Sequence, residues 1–225
     1  MSSSLLAYYT KRADEYEQIY QKPERQADLT VLRRYLQGAL ANHDVLELAC
    51  GTGYWTAAYA PVARSVLATD LSPEVLAIAE QKAYPPGRVS FTRADAFDVT
   101  EIPGSFTALF AGFWWSHVPR QRLGGFLRQL HRRLDPGTRC VFCDNRYVRG
   151  SSTPVYRHDR EGNSYQLRRL QDGAEYEVLK NFPTIQEVES MLHSEAAVDV
   201  RTNELTYYWC VSYLTGSANL QPRGD

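Results

Sequence analysis

Two glycines, Gly51 and Gly53, stand where an apolar segment of the sequence meets a helix-like one. Residues 45–49 have the short apolar pattern of a buried strand, and residues 54–62 have the pattern of a helix. Because glycine has no Cβ, a ligand can approach its backbone closely, and the first turn of a helix offers N–H groups without intrahelical partners. This turn therefore predicts a binding site for a ligand with a negative or electron-rich group.

Two aspartates follow the next two predicted strands. Asp70 ends the strand at 65–69, and Asp95 follows the strand at 89–93. The carboxyl ends of parallel strands meet at one edge of a sheet, so both carboxylates are expected beside the glycine turn. Asp70 can accept hydrogen bonds from both hydroxyls of a ribose, and Asp95 is placed to meet the far end of a nucleoside. The alternative is that both aspartates are helix caps or turn formers.

Glu47 and Thr56 distinguish between kinds of nucleoside. A dinucleotide fingerprint has a third glycine where this sequence has Thr56. The acidic Glu47, just before the turn, would repel a pyrophosphate and would suit a cofactor with a cationic amine. An NAD-type dinucleotide-binding oxidoreductase is therefore the weaker alternative.

Strand-like and helix-like segments alternate along the first two thirds of the chain, which predicts a parallel sheet covered by helices on both faces. Pro73 after Ser72 is a favourable helix start, and Pro119 opens another helix. The predicted helices are 5–20, 24–41, 54–62, 73–82 and 119–134, and the predicted strands are 45–49, 65–69, 89–93, 106–112 and 139–145.

The pattern changes after residue 145. Residues 165–170 and 175–179 alternate around Asp172-Gly173, which predicts an antiparallel hairpin. Thr184 and Glu187 form a capping box for a helix to about residue 194, and 198–214 should form two antiparallel strands. The predicted fold is an α/β sheet of seven mostly parallel strands with the last one antiparallel, and with an extra hairpin inserted after the fifth strand.

With these motifs the chain resembles the class I S-adenosylmethionine-dependent methyltransferases over nearly its whole length. The family's acid-x-x-x-Gly-x-Gly motif matches Glu47 through Gly53, and its acids after the second and third strands match Asp70 and Asp95. The resemblance implies a single Rossmann-like domain over 1–225. Its parts would be a helical lid at 1–42, a cofactor-binding core at 43–145, a substrate-cap insertion at 146–180, and a closing helix and strand pair at 181–225.

The resemblance also implies the cofactor, S-adenosyl-L-methionine, and its product S-adenosyl-L-homocysteine (SAH). Gly51 and Gly53 would lie against the methionine part, Asp70 would hold the ribose, and Asp95 and Ala96 would contact the adenine. A tyrosine-rich opening helix would cover the cofactor. The full expected set is Tyr8, Arg12, Tyr16, Glu47, Ala49, Gly51, Gly53, Asp70, Leu71, Asp95, Ala96 and Phe113.

The end of the fourth strand is the expected place for the methyl acceptor. Trp114 and Trp115 could stack on a flat or cationic substrate, or belong to the core. His117 is the candidate general base, with a structural role as its alternative. Asn145, Arg146 and Tyr165 complete the expected acceptor site, and further candidates in the insertion are Tyr156, Arg157 and Arg168.

Charge is uneven along the chain, although its net value is only −1. Residues 120–169 hold 12 arginines and 4 acidic side chains, a balance of +8, whereas 170–225 hold 3 basic and 9 acidic side chains, a balance of −6. Four of these arginines, on the helix 119–134, are expected to form a solvated face, and the other interpretation is that the stretch attracts an anionic substrate. The stretch also leaves an RNA- or nucleotide-directed methyltransferase as the main alternative. Because the chain as a whole is not basic, nucleic acid is not the expected partner.

The expected partner is instead a small-molecule acceptor, anionic or aromatic, with the protein a monomer or homodimer. No metal site is predicted, since Cys140 and Cys143 fall on one predicted strand and point to opposite faces. With no signal peptide or membrane span in the sequence, the expected location is the cytoplasm.

Overall fold

A computed structural model describes residues 13–170 and 173–216, with side chains from residue 17 onwards. The described residues form ten strands and five α-helices. The strands are β1 (Asp44–Leu48), β2 (Ser65–Asp70), β3 (Val89–Arg93), β4 (Ala108–Gly112), β5 (Arg139–Asn145), β6 (Arg157–His158), β7 (Ser164–Arg169), β8 (Glu175–Leu179), β9 (Ala197–Glu204) and β10 (Tyr208–Thr215). The α-helices are α1 (Gln26–Leu40), α2 (Tyr54–Tyr59), α3 (Pro73–Glu80), α4 (Arg120–Arg133) and α5 (Ile185–Ser194).

Seven of the strands form one sheet in the order β3-β2-β1-β4-β5-β10-β9. β1 pairs in parallel with β2 and β4, and these pair in parallel with β3 and β5. β10 is antiparallel to both of its neighbours, β5 and β9. The prediction of a mostly parallel seven-stranded sheet with an antiparallel last strand is therefore confirmed. β1 and β4 lie side by side although they are far apart in sequence, and such a switch point opens a crevice at the carboxyl ends of the strands.

Local sequence explains the helix ends. The Ser72 side chain accepts from the backbone N–H of Val75 at the start of α3, and Pro73 is the first helical residue. At the start of α5, Thr184 and Glu187 form the predicted capping box. Such caps satisfy N–H groups that the first turn of a helix leaves without partners.

The sheet is buried on both faces, because successive residues of a strand point to opposite sides. Leu46 and Leu48 face one apolar core, which α4 and α5 cover with their apolar sides. Val45 faces the second core, which α1 and α2 cover. Cys140 lies in the first core and Cys143 in the second, as their spacing on β5 predicts.

Two features differ from the sequence predictions. The described part of the predicted opening helix, Ala13–Gln21, is a 3₁₀ helix. Of its described side chains, Ile19 and Tyr20 contact the second core. The predicted hairpin is confirmed as β7 and β8, and β6 adds a third strand to it. No helix among the described residues is long and apolar enough to cross a bilayer.

Candidate functional site

The glycine turn lies at the carboxyl end of β1 and has a left-handed backbone at three positions. The φ angles are 52° at Ala49, 56° at Gly51 and 74° at Gly53. A Cβ added to Gly51 would meet no neighbouring heavy atom within 4 Å, so the space beside this residue is open. A Cβ on Gly53 would lie 2.5 Å from the Tyr84 hydroxyl oxygen. Gly51 therefore leaves room for a ligand, whereas Gly53 permits close packing against the segment after α3.

Asp70 joins the ends of β1 and β2. Its Oδ2 accepts from the backbone N–H of Gly51 at 2.9 Å, and its Oδ1 accepts from the N–H of Ser72 at 3.0 Å. Burial raises the pKa of Asp70, and these backbone donors partly offset the increase. A carboxylate has about four acceptor positions, so acceptor capacity remains for a bound ligand.

Glu47 lies on the face of β1 that points towards α2. Its carboxyl oxygen Oε2 accepts from the Thr56 hydroxyl and the Tyr59 hydroxyl, each at 2.7 Å. The residue is only 2% exposed, and burial raises its pKa to about 7 against the effect of these two donors. Thr56, where a dinucleotide fingerprint would have glycine, thus holds the acid beneath the turn.

The other expected cofactor residues lie around the same strand ends. The Oδ1 of Asp95 accepts from the N–H of Phe97 at 2.9 Å, and Ala96 is buried beneath that turn. The backbone carbonyl of Leu71 accepts from Arg93. Phe113 has a φ of 60° directly after β4, and its ring stacks on Trp55.

The opening segment reaches over the glycine turn. Glu17 accepts a hydrogen bond of 2.7 Å from the Thr52 hydroxyl and forms an ion pair of 2.8 Å with Lys82. Tyr20 stacks on Tyr54 at 4.0 Å. The opening segment therefore contacts the glycine turn and α2, and its role as a cofactor lid stays a prediction. The expected residues Tyr8 and Arg12, and the side chain of Tyr16, lie outside the described part of the chain.

A cavity of about 290 Å³ lies beside these strand ends, between the opening segment and the insertion after β5. Its walls include Phe113, Asn145 and several aromatic rings, and five of its lining residues are basic. Among the described residues, no aspartate or glutamate lines it. The basic residues are Lys22, Arg25, Arg168, Arg169 and Lys180.

Arg25 connects the opening segment with the insertion. Its guanidinium donates to the hydroxyl of Ser151 at 2.9 and 3.1 Å and to Oδ1 of Asn145 at 3.4 Å, and it lies over the rings of Tyr207 and Tyr208. Arg25 is 7% exposed, yet it has no ion pair with a carboxylate of the described residues. A buried charge without an opposite charge is costly, so this position favours an anionic ligand.

The two tryptophans after β4 lie in the core rather than on the wall of this cavity. Trp114 packs against Phe97, and Trp115 packs edge-on against Phe142 and Trp209. Both are at most 3% exposed. Their predicted stacking on a substrate stays a prediction.

His117, Arg146 and Tyr165 also lie outside the walls of the cavity. The Nδ1 of His117 is 2.7 Å from the carbonyl oxygen of Leu179, and burial lowers the pKa of this histidine to about 3. Arg146 donates to the Leu205 carbonyl and pairs with Glu204 at 2.6 Å. The Tyr165 hydroxyl donates to Asp159 at 3.1 Å, under the guanidinium of Arg157. Of the expected acceptor residues, the structure thus brings Asn145 to the cavity, together with the further candidate Arg168.

The basic stretch 120–169 is partly neutralised by the acidic segment that follows it. Four of its arginines form ion pairs with glutamates from 170–225, and Arg133 donates to the carbonyls of Ile102 and Gly104. The four pairs are Arg120–Glu187, Arg128–Glu195, Arg146–Glu204 and Arg157–Glu177. This pairing weakens the argument for an extended RNA-binding surface.

Sequence reasoning missed Lys22, Arg25 and Lys180 as residues of the cavity. No motif marks them, since Arg25 falls at a helix start and Lys180 at the end of the inserted hairpin. A charge count signals an excess of arginine, but only the folded chain shows which basic side chains face inward.

Comparisons with known proteins agree with this geometry. A family described as "Methyltransferase domain" matches residues 45–137. The chain is 30% identical to the protein in the DhpI–SAH complex structure, with 98% of this chain and 97% of that chain covered and a TM-score of 0.75. For the DhpI–SAM–HEP complex the identity is 28%, the coverage 95% and 99%, and the TM-score 0.76.

A curated relative is the demethylmenaquinone methyltransferase of Clavibacter sepedonicus, 36% identical over 105 residues, which cover 47% of this chain and 42% of the relative. The chain thus spans less than half the length of the curated relatives that it matches. The similarity to the DhpI complexes, by contrast, extends over both chains almost from end to end. On its fold, its glycine turn and this full-length similarity, the chain belongs to the class I S-adenosylmethionine-dependent methyltransferase family.

Proposed function

We propose that this protein transfers a methyl group from S-adenosylmethionine to a small-molecule acceptor that carries a negative charge. The observation that carries the proposal is the meeting of two features at one sheet edge. The glycine turn and Asp70 lie there, where a nucleoside is proposed to bind, and the basic cavity has Phe113 and Asn145, from the ends of β4 and β5, in its wall.

The described residues fit the cofactor. The open space beside Gly51 would accommodate its methionine part, and Asp70 keeps acceptor capacity for a ribose hydroxyl. Glu47 places a carboxyl group beneath the turn, where it would attract the cationic amine, and Asp95 and Ala96 would lie beside the adenine. When bound, the cofactor supplies a methyl group on a positively charged sulfur, which makes that carbon electrophilic.

The acceptor is proposed to be small because the cavity has about 290 Å³, at the lower end of ordinary ligand pockets. It is proposed to be anionic because five basic residues and no acidic residue of the described chain line the cavity. Tyr20, Phe113, Phe182 and Tyr208 add aromatic surface, which suits a short apolar or aromatic body attached to the anionic group.

The chain's own residues position the acceptor and exclude water. Arg25 and Lys22 bring the opening segment onto Ser151 of the insertion, so that the cavity is bounded on two sides. Asn145, at the end of β5, is held by Asp144 and by Arg25. Positioning of this kind contributes much of the rate in reactions for which the cofactor supplies the reactive group.

Calorimetric titration tests the cofactor site directly. We expect the wild type to bind S-adenosylmethionine and SAH and not NAD. Asp70→Asn should raise the Kd for SAH about tenfold or more, since a hydrogen bond to a charged group contributes about 1.5–3 kcal/mol. Asp98→Asn is the matched control, because Asp98 is an exposed aspartate on the loop after β3. Tighter binding of NAD, or equal effects of the two variants, would contradict the proposal.

Methyl transfer from labelled S-adenosylmethionine tests the acceptor. Each small carboxylate, phosphate or phosphonate in a panel is paired with its neutral amide or ester. We expect transfer to members of the anionic set and not to their neutral partners. Transfer to RNA that persists at high salt would instead support the nucleic-acid alternative, since electrostatic binding to RNA weakens steeply with salt.

A further inference from the structure

Lys180 is a buried lysine in the wall of the basic cavity. It follows β8 at the end of the insertion, is 4% exposed, and lines the cavity together with Asn145. Its Nζ donates to the Ser116 hydroxyl at 2.6 Å and to Oδ1 of Asp144 at 3.0 Å. An ammonium group has three N–H donors, so one remains for a molecule in the cavity.

Asp144 fixes the position of this ammonium group. Its carboxylate is fully buried and also accepts from the backbone N–H groups of Ser116, at 2.9 Å, and Asn145, at 2.7 Å. Burial alone would raise the pKa of Asp144, but Lys180, His117 and the backbone donors outweigh it and lower the pKa. The carboxylate is therefore ionised, and it ties Lys180 to the ends of β4 and β5.

Positive charge exceeds negative charge around this group. Burial lowers the pKa of Lys180, and Asp144 opposes this effect, whereas Arg168 and Arg25 add to it. Asp144 neutralises one of these three cations. A buried ion pair by itself adds little stability compared with apolar side chains, so stability alone does not explain a lysine at this position.

We propose that Lys180 selects negatively charged acceptors by donating its third N–H to an anionic oxygen of the bound molecule. The inference rests on the proposed function in one respect, namely that the bound anion is the methyl acceptor. Anion binding by Lys180 itself can be measured without the cofactor. The recognised chemistry is an oxyanion, either a carboxylate or a phosphoryl group. The ion pair with Asp144 holds the donor in place before the ligand arrives, which lowers the entropic cost of binding.

Titration of the full-length protein with three probes tests the inference, with and without SAH. Inorganic phosphate and acetate represent the two kinds of oxyanion, and trimethyl phosphate is a neutral ester of phosphate. We expect the wild type to bind at least one of the two anions and not the ester. Whichever anion binds more tightly identifies the head group.

The variants separate recognition from folding. Lys180→Met alone leaves Asp144 buried without its partner and can unfold the protein, so the main variant is Lys180→Met with Asp144→Asn, which removes both charges. We expect it to weaken anion binding at least tenfold while the Kd for SAH changes less than threefold. Lys180→Arg should restore part of the anion binding. Arg201→Met, which removes an exposed arginine paired with Asp199 on β9, should change neither the anion binding nor the Kd for SAH.

Anion binding by the folded double variant as tight as that of the wild type would overturn the inference. The same holds if the wild type binds neither anion, or binds trimethyl phosphate equally well. Failure of the proposed function would give a different result. SAH would then not bind, while phosphate or acetate would still bind more tightly to the wild type than to the double variant.

Discussion

Replacing Glu47 by glutamine tests whether the acid beneath the glycine turn acts through its charge. Both hydroxyl donors, Thr56 and Tyr59, bond to the same oxygen of Glu47. The carbonyl oxygen of a glutamine can accept both bonds, so the replacement removes the ionisable group and little else. The two effects of that charge, on folding and on cofactor binding, have opposite signs and can be measured separately.

The effect on stability follows from the pKa. Burial raises the pKa of Glu47 from 4.5 to about 7, which at about 1.4 kcal/mol per pKa unit corresponds to about 3 kcal/mol. Between these two values the unfolded chain loses the proton while the folded chain keeps it, so this residue makes the protein less stable as the pH rises. We expect Glu47→Gln to be as stable as the wild type near pH 4.5 and more stable by up to about 3 kcal/mol above pH 8.

Urea unfolding of both proteins at pH 5, 6.5 and 8, followed by circular dichroism, measures this difference. Glu101→Gln, at an exposed position, is the control and should show no such trend. Two results would refute a raised pKa for Glu47. One is a stability difference between Glu47→Gln and the wild type that is the same at all three pH values. The other is a Glu47→Gln variant that is less stable than the wild type at pH 8.

Cofactor affinity should change in the other direction. An ionised Glu47 attracts the cationic cofactor, whereas a protonated one does not. The ratio of the Kd of Glu47→Gln to that of the wild type should therefore rise about tenfold between pH 6 and pH 8, as Glu47 ionises. Titration of the cofactor itself affects both proteins and cancels from the ratio. A ratio near one at every pH would show that Glu47 supports the turn without sensing the ligand's charge.

Two further predictions concern the turn and the histidine. Gly53→Ala should lower the free energy of unfolding by about 1–3 kcal/mol in urea titrations, because its Cβ would clash with the Tyr84 hydroxyl at a φ of 74°. Gly51→Ala has open space beside its Cβ, so it should lower the free energy of unfolding less than Gly53→Ala but weaken SAH binding more. The reverse order of the two variants would contradict the assignment of this open space to the ligand. His117→Asn should lower kcat less than about tenfold, because the histidine Nδ1 faces the Leu179 carbonyl. A general base contributes about 10²–10⁴-fold, so a loss in that range would support the catalytic role predicted from the sequence.

Much of the fold could be predicted because the strong local patterns agree with tertiary packing. The strand Arg139–Asn145 and the capping box at Thr184 were predicted at the positions where they occur. The third strand of the inserted sheet, Arg157–His158, was not predicted. It has two residues, both exposed, and exists only through its pairing with β7, so no apolar pattern marks it.

Some candidate site residues could be recognised from the sequence, and others could not. Glu47, Gly51, Gly53 and Asp70 are recognisable because their roles depend on neighbours close in sequence, and parallel strand ends necessarily meet at one edge. The position of Trp114 could not be assigned from sequence, since an aromatic residue after a strand end can face either a cavity or the core. In the structure it packs against Phe97, and its stacking on a substrate stays a prediction.

The sequence alone determined the sheet and its glycine turn, together with the acids that surround the turn, because strand and helix periodicity and the backbone freedom of glycine are local properties. Only the tertiary structure decided which cations face the basic cavity. Arg25 and Lys180 are 155 residues apart, and four arginines of the +8 stretch 120–169 are paired with later glutamates. Charge is counted along the chain, but a binding site depends on which charges the fold turns towards a cavity.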